Sequence, residues 1–166
     1  DIGVASLKIE GRMKSIHYIA TVVLAYRMFI DDYYDNKLKP TSYYKSEIKK
    51  AENRLTSHGF LNGETGVEQQ LYNYRSEQPT QEFIGIVKGY DSDKSLAELE
   101  QRNYFKVGDT IEIVSPNKTF RKSVINTLLD EDFNEIEVAR HPLQKLYINL
   151  DFEVKPYDLI RRARNV

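Results

Sequence analysis

Three charged residues near the start of the chain, Lys8, Glu10 and Arg12, lie two positions apart. Apolar and polar residues alternate over residues 5–9, and this period predicts a strand that leads into a polar loop. Side chains two positions apart on a strand share a face, so the three charges would project together at its exit. Arg12 could then bind a carboxylate or phosphate through two hydrogen bonds, while Glu10 orients that group or accepts a proton. The alternative is a charged, solvent-exposed strand end without a ligand.

The other residue types that carry chemistry show no arrangement typical of catalysis or metal binding. The histidines, His17, His58 and His141, lack the spacing of a metal site, and each is predicted to be structural. No serine lies in a Gly-x-Ser-x-Gly motif, and the chain has no cysteine, which excludes iron–sulfur ligation and a cysteine nucleophile within this stretch. The sequence therefore predicts no catalytic residue, no metal and no cofactor in this chain.

Basic residues near the C-terminus and two pairs of tyrosines are candidates for nucleic-acid contact. Arg161, Arg162 and Arg164 are expected to be exposed and are predicted to contact phosphates. The tyrosine pairs at positions 33–34 and 43–44 could stack on nucleobases, or they could pack against a helix with their hydroxyls in water. A formal net charge of -1, from 24 basic and 25 acidic residues, weakens a general nucleic-acid-binding interpretation.

The composition is that of a folded protein with two domains. Hydrophobic residues make up 40% and charged residues 30% of the 166 positions, and no apolar run is long enough to cross a membrane. No signal segment opens the chain, so a soluble, cytoplasmic protein is expected. The pattern changes from helical to stranded near residue 81, which predicts a first unit over residues 1–80 and a second over 81–166.

Two helices are predicted in the first unit. The first begins after Ser15 as N-cap, and it is apolar on nearly every face, so residues 1–36 need a partner surface, such as a second copy bound through residues 15–36. The second is predicted from Tyr43 to Ser57, with Gly59 as the residue that ends it.

Six short segments of period-two alternation follow residue 82, and turn-forming residues separate them. They cover residues 83–90, 110–114, 119–129, 135–139, 146–150 and 152–154. Strands this short suit a small barrel better than an immunoglobulin sandwich. The sequence therefore predicts an α+β protein, in which an N-terminal strand and helices precede a small antiparallel β-barrel.

Several motifs, taken in order, resemble the C-terminal part of peptidase family U32, the collagenase-like proteases. They are SLKIEGRMKS at residues 6–15, TSHGF at 56–60, QRNYF at 101–105, GDTIE at 108–112 and ARHP at 139–142. Together they span essentially the whole chain. Proteins of this family are similar to one another in having an α/β-barrel-like domain with cysteines and then a C-terminal β-barrel.

The resemblance implies a place for each unit and two functions for the whole. Residues 1–80 would be the end of the U32 catalytic domain with a helical connector, and residues 81–166 the U32 C-terminal barrel. Lys8, Glu10 and Arg12 would lie at the ligand-binding end of the larger domain. An iron–sulfur cluster is implied only for the missing N-terminal domain, which would be the chain's partner.

Members of the family act as peptidases or in prephenate-dependent formation of 5-hydroxyuridine in tRNA. The first function implied is therefore an accessory region that positions a macromolecular substrate, such as tRNA, and is not catalytic alone. The alternative is a protein-binding exosite or oligomerisation module of a genuine peptidase.

Overall fold

The computed structural model describes residues 3–51, 60–61, 63–64, 66–67 and 81–163. The chain divides into two compact units, Asp1–Thr80 and Gln81–Val166. Among the described residues, no helix has the length and hydropathy of a membrane-spanning segment.

The first unit contains helices α1, Ile16–Tyr34, and α2, Thr41–Lys49. Ser15 caps α1 as the sequence predicts, because its hydroxyl accepts a hydrogen bond from the Tyr18 N–H at 3.1 Å. Helix α2 begins two residues earlier than predicted, directly after Pro40. The predicted continuation of this helix beyond Lys49 is wrong, because Lys50 is the C-cap and Lys50 and Ala51 form a turn closed by hydrogen bonds to the carbonyls three residues before them. The rest of the predicted range, with His58 and Gly59 after it, lies outside the described residues.

Helices α1 and α2 pack through a tyrosine of α2. Tyr44 is 3% exposed, and its ring meets Phe29 edge to face with 5.1 Å between the centroids. The Tyr44 hydroxyl donates to Asp32 Oδ2 at 2.7 Å and accepts from the Lys39 N–H at 3.0 Å. Burial is the main cause that raises the pKa of Tyr44 above its usual value. This one side chain therefore joins the two helices and the turn between them.

The strand predicted over residues 5–9 is wrong. Residues 3–10 have an irregular backbone, and no described residue pairs with them in a ladder. Alternation of apolar and polar residues does not hold a strand by itself, since backbone N–H and C=O groups need a neighbouring strand.

The second unit is built of nine strands. They are β1 Gln81–Asp91, β2 Leu96–Gln101, β3 Phe105–Lys106, β4 Thr110–Val114, β5 Phe120–Val124, β6 Leu128–Leu129, β7 Val138–Ala139, β8 Lys145–Asn149 and β9 Leu159–Ala163. Seven form an antiparallel sheet in the order β5-β4-β9-β1-β2-β8-β6, and β3 pairs with β7 in a separate ribbon.

The sheet curls, and the ribbon spans its two edges. Register shifts in β1, between Phe83 and Gly85 and between Val87 and Gly89, mark the bulges that bend this strand. A Cβ at Gly85 would lie 3.2 Å from the Glu100 carbonyl oxygen, so a larger residue there would require the backbone of β2 to shift by a few tenths of an ångström. Backbone hydrogen bonds connect the ribbon to both edge strands, β5 and β6. At the β5 edge, the Ile125 N–H donates to the Asp109 C=O, and at the β6 edge the Ile136 N–H donates to the Leu128 C=O. Between them, the Val107 N–H donates to the Glu137 C=O within the ribbon.

One apolar core fills the second unit. Its members come from the sheet, the ribbon and the connecting segments, and they include Ile84, Leu99, Phe105, Ile111, Ile113, Ile125, Leu128, Leu146, Ile148 and Ile160. The predicted α+β class with a small antiparallel barrel is therefore confirmed, although the N-terminal strand is not formed.

The individual strands agree with the sequence in part. Strands β1, β4 and β8 lie where period two predicts them, within two residues at each end. Residues 152–154 form no strand, and β2 and β9 were not predicted. Strand β2 (LAELEQ) was missed because it contains alanine and glutamate, which have low β propensity. It is held as a strand by pairing with β1 and β8, and Ala97, Leu99 and Gln101 are its buried side chains.

Candidate functional site

The charged residues predicted as a substrate-binding group lie in an exposed loop before α1. Lys8, Glu10 and Arg12 are all exposed, and the loop reaches the α1 N-cap at Ser15. Glu10 Oε1 accepts a hydrogen bond from the Arg12 N–H at 2.9 Å. The Glu10 carboxylate therefore helps to fold the loop that carries Arg12, in addition to any contact with a ligand.

A glycine lets this loop lie close to α1. The Lys14 N–H donates to the Gly11 carbonyl at 2.9 Å, which closes a turn. A Cβ at Gly11 would stand 2.6 Å from Ile19 Cγ1, a distance that real structures do not show. A larger residue at position 11 would therefore require either another rotamer of the Ile19 side chain or a shift of the loop.

Lys14 is a further candidate residue that the sequence pattern alone did not bring into the group. It lies two positions after Arg12, is exposed, and holds its ammonium 5.1 Å from the centre of the Tyr18 ring. The signal was present in the sequence, because Lys14 continues the two-residue spacing of Lys8, Glu10 and Arg12.

The loop thus places three cations and one carboxylate beside the amino end of a long helix. Lys8, Arg12 and Lys14 supply the positive charge, and the helix dipole adds to it. Such a loop favours an anionic group, and the Arg12 guanidinium suits the two oxygens of a carboxylate or a phosphate. We name residues 8–14 the cationic loop.

The expectation that the C-terminal arginines are exposed is wrong for Arg161. This residue is fully buried in β9, and its Nε donates to Glu112 Oε2 at 2.6 Å. Its guanidinium also lies 5.5 Å from the centre of the Phe120 ring. The reason is the position of β9 between β4 and β1, which sets Glu112 directly opposite Arg161.

Arg162 is also held by the fold, in a partly buried position. Its guanidinium donates to Glu82 Oε2 at 2.6 Å and to Asp109 Oδ2 at 2.5 Å. Burial lowers the pKa of Arg162, but the hydrogen bonds to Glu82 and Asp109 outweigh it, so the net pKa lies above its usual value. Arg164 lies outside the described residues, and its contact with phosphate stays a prediction.

The four candidate tyrosines divide into two groups. Tyr44 is buried and Tyr43 partly buried, which fits the packing interpretation, whereas Tyr33 and Tyr34 are 49% and 77% exposed. Tyr33 and Tyr34 meet edge to face, with 5.5 Å between their centroids. Their rings are therefore accessible in this unit.

The described residues contain no ligand set for a metal or an iron–sulfur cluster. No group of three or more His, Cys, Asp or Glu side chains in the part of the chain that the structure describes is placed to hold a metal ion. The sequence has no cysteine at any position. The described residues of this chain therefore provide no ligands for the iron–sulfur cluster that the family resemblance implies.

Two family models together cover most of the chain. The model of peptidase family U32 matches residues 1–71, and the model of the family U32 C-terminal domain matches residues 79–161. The chain belongs to peptidase family U32. The gap between the two matches, residues 72–78, lies just before the boundary between the two compact units of this U32 chain.

Relatives of this U32 chain include tRNA hydroxylation proteins. It is 40% identical over 99% of its length to tRNA hydroxylation protein P1 of Bacillus subtilis, and 31% identical over 97% to tRNA hydroxylation protein P of Haemophilus influenzae. The chain spans 39% and 35% of the lengths of these two proteins. It is also 30% identical, over 81% of its length, to a protein of Methanocaldococcus jannaschii named as an uncharacterized protease.

A solved structure is similar to part of the chain. The crystal structure of the C-terminal domain of a Geobacillus thermoleovorans protein assigned to the U32 peptidases is 40% identical to it, with a TM-score of 0.47. The match covers 49% of this chain and 99% of that domain.

Proposed function

We propose that this chain forms the C-terminal accessory part of a U32 enzyme of tRNA uridine hydroxylation, where it positions the tRNA and is not catalytic alone. The observation that carries the proposal is the 40% identity to Bacillus subtilis tRNA hydroxylation protein P1, which extends over 99% of this chain. Because the similarity includes both units, each of them has a counterpart in a tRNA hydroxylation protein.

The cationic loop supports the proposal through its chemistry. Lys8, Arg12 and Lys14 are exposed cations, and tRNA presents one phosphate per nucleotide. The Arg12 guanidinium can bind two oxygens of one phosphate, or the carboxylate of a small co-substrate. We assign Lys8, Glu10 and Arg12 to substrate binding, with Glu10 keeping the loop in shape.

The reacting groups and any iron–sulfur cluster are assigned to the N-terminal U32 domain, for which the longer relatives have room. That domain is the first partner in the proposal. Helix α1 supports this, because one side of it is buried while Ile16, Ile19, Val23 and Tyr26, spaced three and four apart, are each at least 40% exposed.

The same exposed side of α1 favours a second candidate function, a protein-binding exosite or oligomerisation module of a U32 peptidase. An apolar stripe with this spacing suits a helix of a second copy, bound through residues 15–36. The relative named as a protease is consistent with this alternative. Sedimentation of the chain measures its oligomeric state directly, because a homodimer has twice the mass of the monomer.

A binding titration distinguishes the two functions. We expect the chain to retain tRNA on a filter at low salt, to lose affinity as salt rises, and not to bind collagen peptides. Replacing Lys8 and Arg12 together by glutamine removes two phosphate contacts and should lower the slope of log K against log salt by about 1.4 to 1.8.

The matched control is the pair Lys106→Gln and Lys155→Gln, two exposed lysines of the second unit. This double variant changes the net charge equally and should leave the slope nearly as it is. Binding to collagen peptides without binding to tRNA would reject the tRNA proposal in favour of the peptidase exosite.

A further inference from the structure

The turn between α1 and α2 carries an exposed aromatic surface that the fold does not use. Tyr34 is 77% exposed and Tyr33 49% exposed, and Leu38 beside them is also 49% exposed. These three residues and Asn36 line an open cavity of about 510 Å³, a size within the range of small-molecule sites. We name residues 33–39 the tyrosine corner, a label that does not refer to the β-sandwich motif of the same name.

The tyrosine corner differs from the buried tyrosine that holds the helices together. Tyr44 packs on Phe29 and bonds Asp32, so its removal would loosen the unit. Tyr33 and Tyr34 contact each other edge to face, with an angle of 83° between their planes. An edge-to-face pair leaves ring faces open, and an open ring face can receive a flat, aromatic ligand.

The charge around the tyrosine corner is positive in a chain whose total charge is close to zero. Residues 33–50 contain five lysines and two carboxylates, while the whole chain has a formal net charge of -1. Two aspartates precede the tyrosine corner on α1: Asp31 is paired with the guanidinium of Arg27, whereas Asp32 accepts a hydrogen bond from the neutral Tyr44 hydroxyl and keeps its charge.

Two lysines belong to the corner itself. Lys37 Nζ lies 3.2 Å from Asp35 Oδ2, in a pair that is largely exposed and therefore easily exchanged for a phosphate. Lys39 Nζ lies 4.2 Å from the centre of the Tyr43 ring, and its hydrogen bond with Tyr43 raises the lysine pKa. Both lysines lie within five residues of Tyr34 in the sequence.

We propose that the tyrosine corner binds an unpaired segment of RNA, with a base stacked on Tyr34 and with Lys37 and Lys39 on the adjacent phosphates. Aromatic platforms flanked by cations are how proteins bind single-stranded nucleic acid without reading its sequence. The proposal rests on the proposed function, since it names the part of the tRNA, an unpaired loop, that this chain holds. A basic, aromatic surface fits RNA better than an acidic peptide, because a peptide offers no base to stack.

The test uses the whole 166-residue chain and a fluorescent ten-nucleotide oligouridine, with tRNA in parallel. Tyr34→Leu keeps an apolar side chain but removes the stacking ring, and it should weaken oligouridine binding by about tenfold. Tyr34→Trp retains a ring and should bind as the wild type does. Lys37→Gln with Lys39→Gln should lower the salt slope by about 1.4, the value for two contacts on a single strand.

The matched control is Tyr26→Leu, which removes another exposed tyrosine from the same helix. It should leave oligouridine affinity unchanged, and equal melting temperatures should show that all variants fold. If the wild type binds tRNA and Tyr34→Leu binds it equally well, the tyrosine corner is not the site, although the proposed function stands. If the wild type binds neither RNA at low salt, the proposed function fails and this inference with it. Equal, Tyr34-dependent binding of a polyglutamate peptide would also overturn the assignment to RNA.

Discussion

Removal of the buried arginine of β9 should destabilise the second unit strongly. The Arg161 side chain is 1% exposed and its partner Glu112 13% exposed, and two guanidinium nitrogens lie 2.5 and 2.6 Å from Glu112 Oε2. Arg161→Met would leave the Glu112 carboxylate in a mostly buried position without its cation. Breaking a buried pair in this way costs about 3–5 kcal/mol, and we expect about 3 because Glu112 keeps some contact with water.

The loss should appear as a large fall in melting temperature. For a domain of this size, each kcal/mol shifts Tm by roughly 4–8 °C, so about 3 kcal/mol gives a fall of about 12–24 °C. Far-UV circular dichroism of the whole chain measures it. The double variant Arg161→Met, Glu112→Leu removes both charges and should recover most of the loss, because a buried pair adds little beyond an apolar pair of similar size.

A different result would reject this structural role for Arg161. If Arg161→Met melts within about 3 °C of the wild type but binds tRNA more weakly, then Arg161 is an exposed phosphate contact, as the sequence suggested. In that case Glu112→Leu should also have almost no effect on Tm, since an exposed ion pair contributes less than about 1 kcal/mol.

Three further predictions concern the core, the response to acid and the cationic loop. Ile113→Asp should unfold the second unit, because the side chain is 1% exposed and burying a carboxylate in an apolar core is costly. Amide chemical-shift dispersion measures this, and Ile113→Val should stay folded. The hydrogen bond from Lys88, and then the charge of Arg102, lowers the pKa of Glu100 in the folded protein. The ionised Glu100 therefore stabilises the fold at any pH above the pKa of an unfolded glutamate, about 4.3. This stabilisation is lost as the pH falls through the lower pKa of Glu100 in the folded state. Lys88→Met should therefore reduce the difference between the urea midpoints at neutral and acidic pH, and an unchanged difference would contradict the assigned cause. In a full-length U32 enzyme of this type, Arg12→Ala should reduce tRNA hydroxylation by about tenfold with Tm nearly unchanged, since a charge-assisted contact contributes roughly 1.5–3 kcal/mol. Lys155→Ala is the control, and a fall in Tm with unaltered turnover would make Arg12 a structural residue.

Local signals in the sequence were sufficient for the elements that depend on near neighbours. Ser15 and the apolar run after it predicted α1, and the cap bond is formed within four residues. The alternation over residues 110–114 predicted β4 to the residue. Lys8, Glu10 and Arg12 were chosen from their two-residue spacing on an expected strand that is not formed, and their role in substrate binding stays a prediction.

Distant pairing explains what the sequence did not reveal. Arg161 was predicted to be exposed because a run of arginines at a chain end is usually solvated, yet its partner Glu112 lies 49 residues away. Strand β9 was missed for the same reason, since its arginines are compatible with a sheet only where carboxylates face them. The opposite error occurred at residues 5–9, where the alternation of a strand is present but no described strand lies beside it.

The place of β9 in the sheet has a consequence for how the protein is made. This strand is the last in the part of the chain that the structure describes, but it lies between β4 and β1 and pairs with both. During synthesis on the ribosome, the β4–β5 hairpin and the β1–β2–β8 part of the sheet emerge first, each with an unpaired edge where β9 will lie. Folding of the second unit can therefore finish only after residues 159–163 have been translated. A chain that stops before Leu159 would keep both edges open and would tend to aggregate or be degraded.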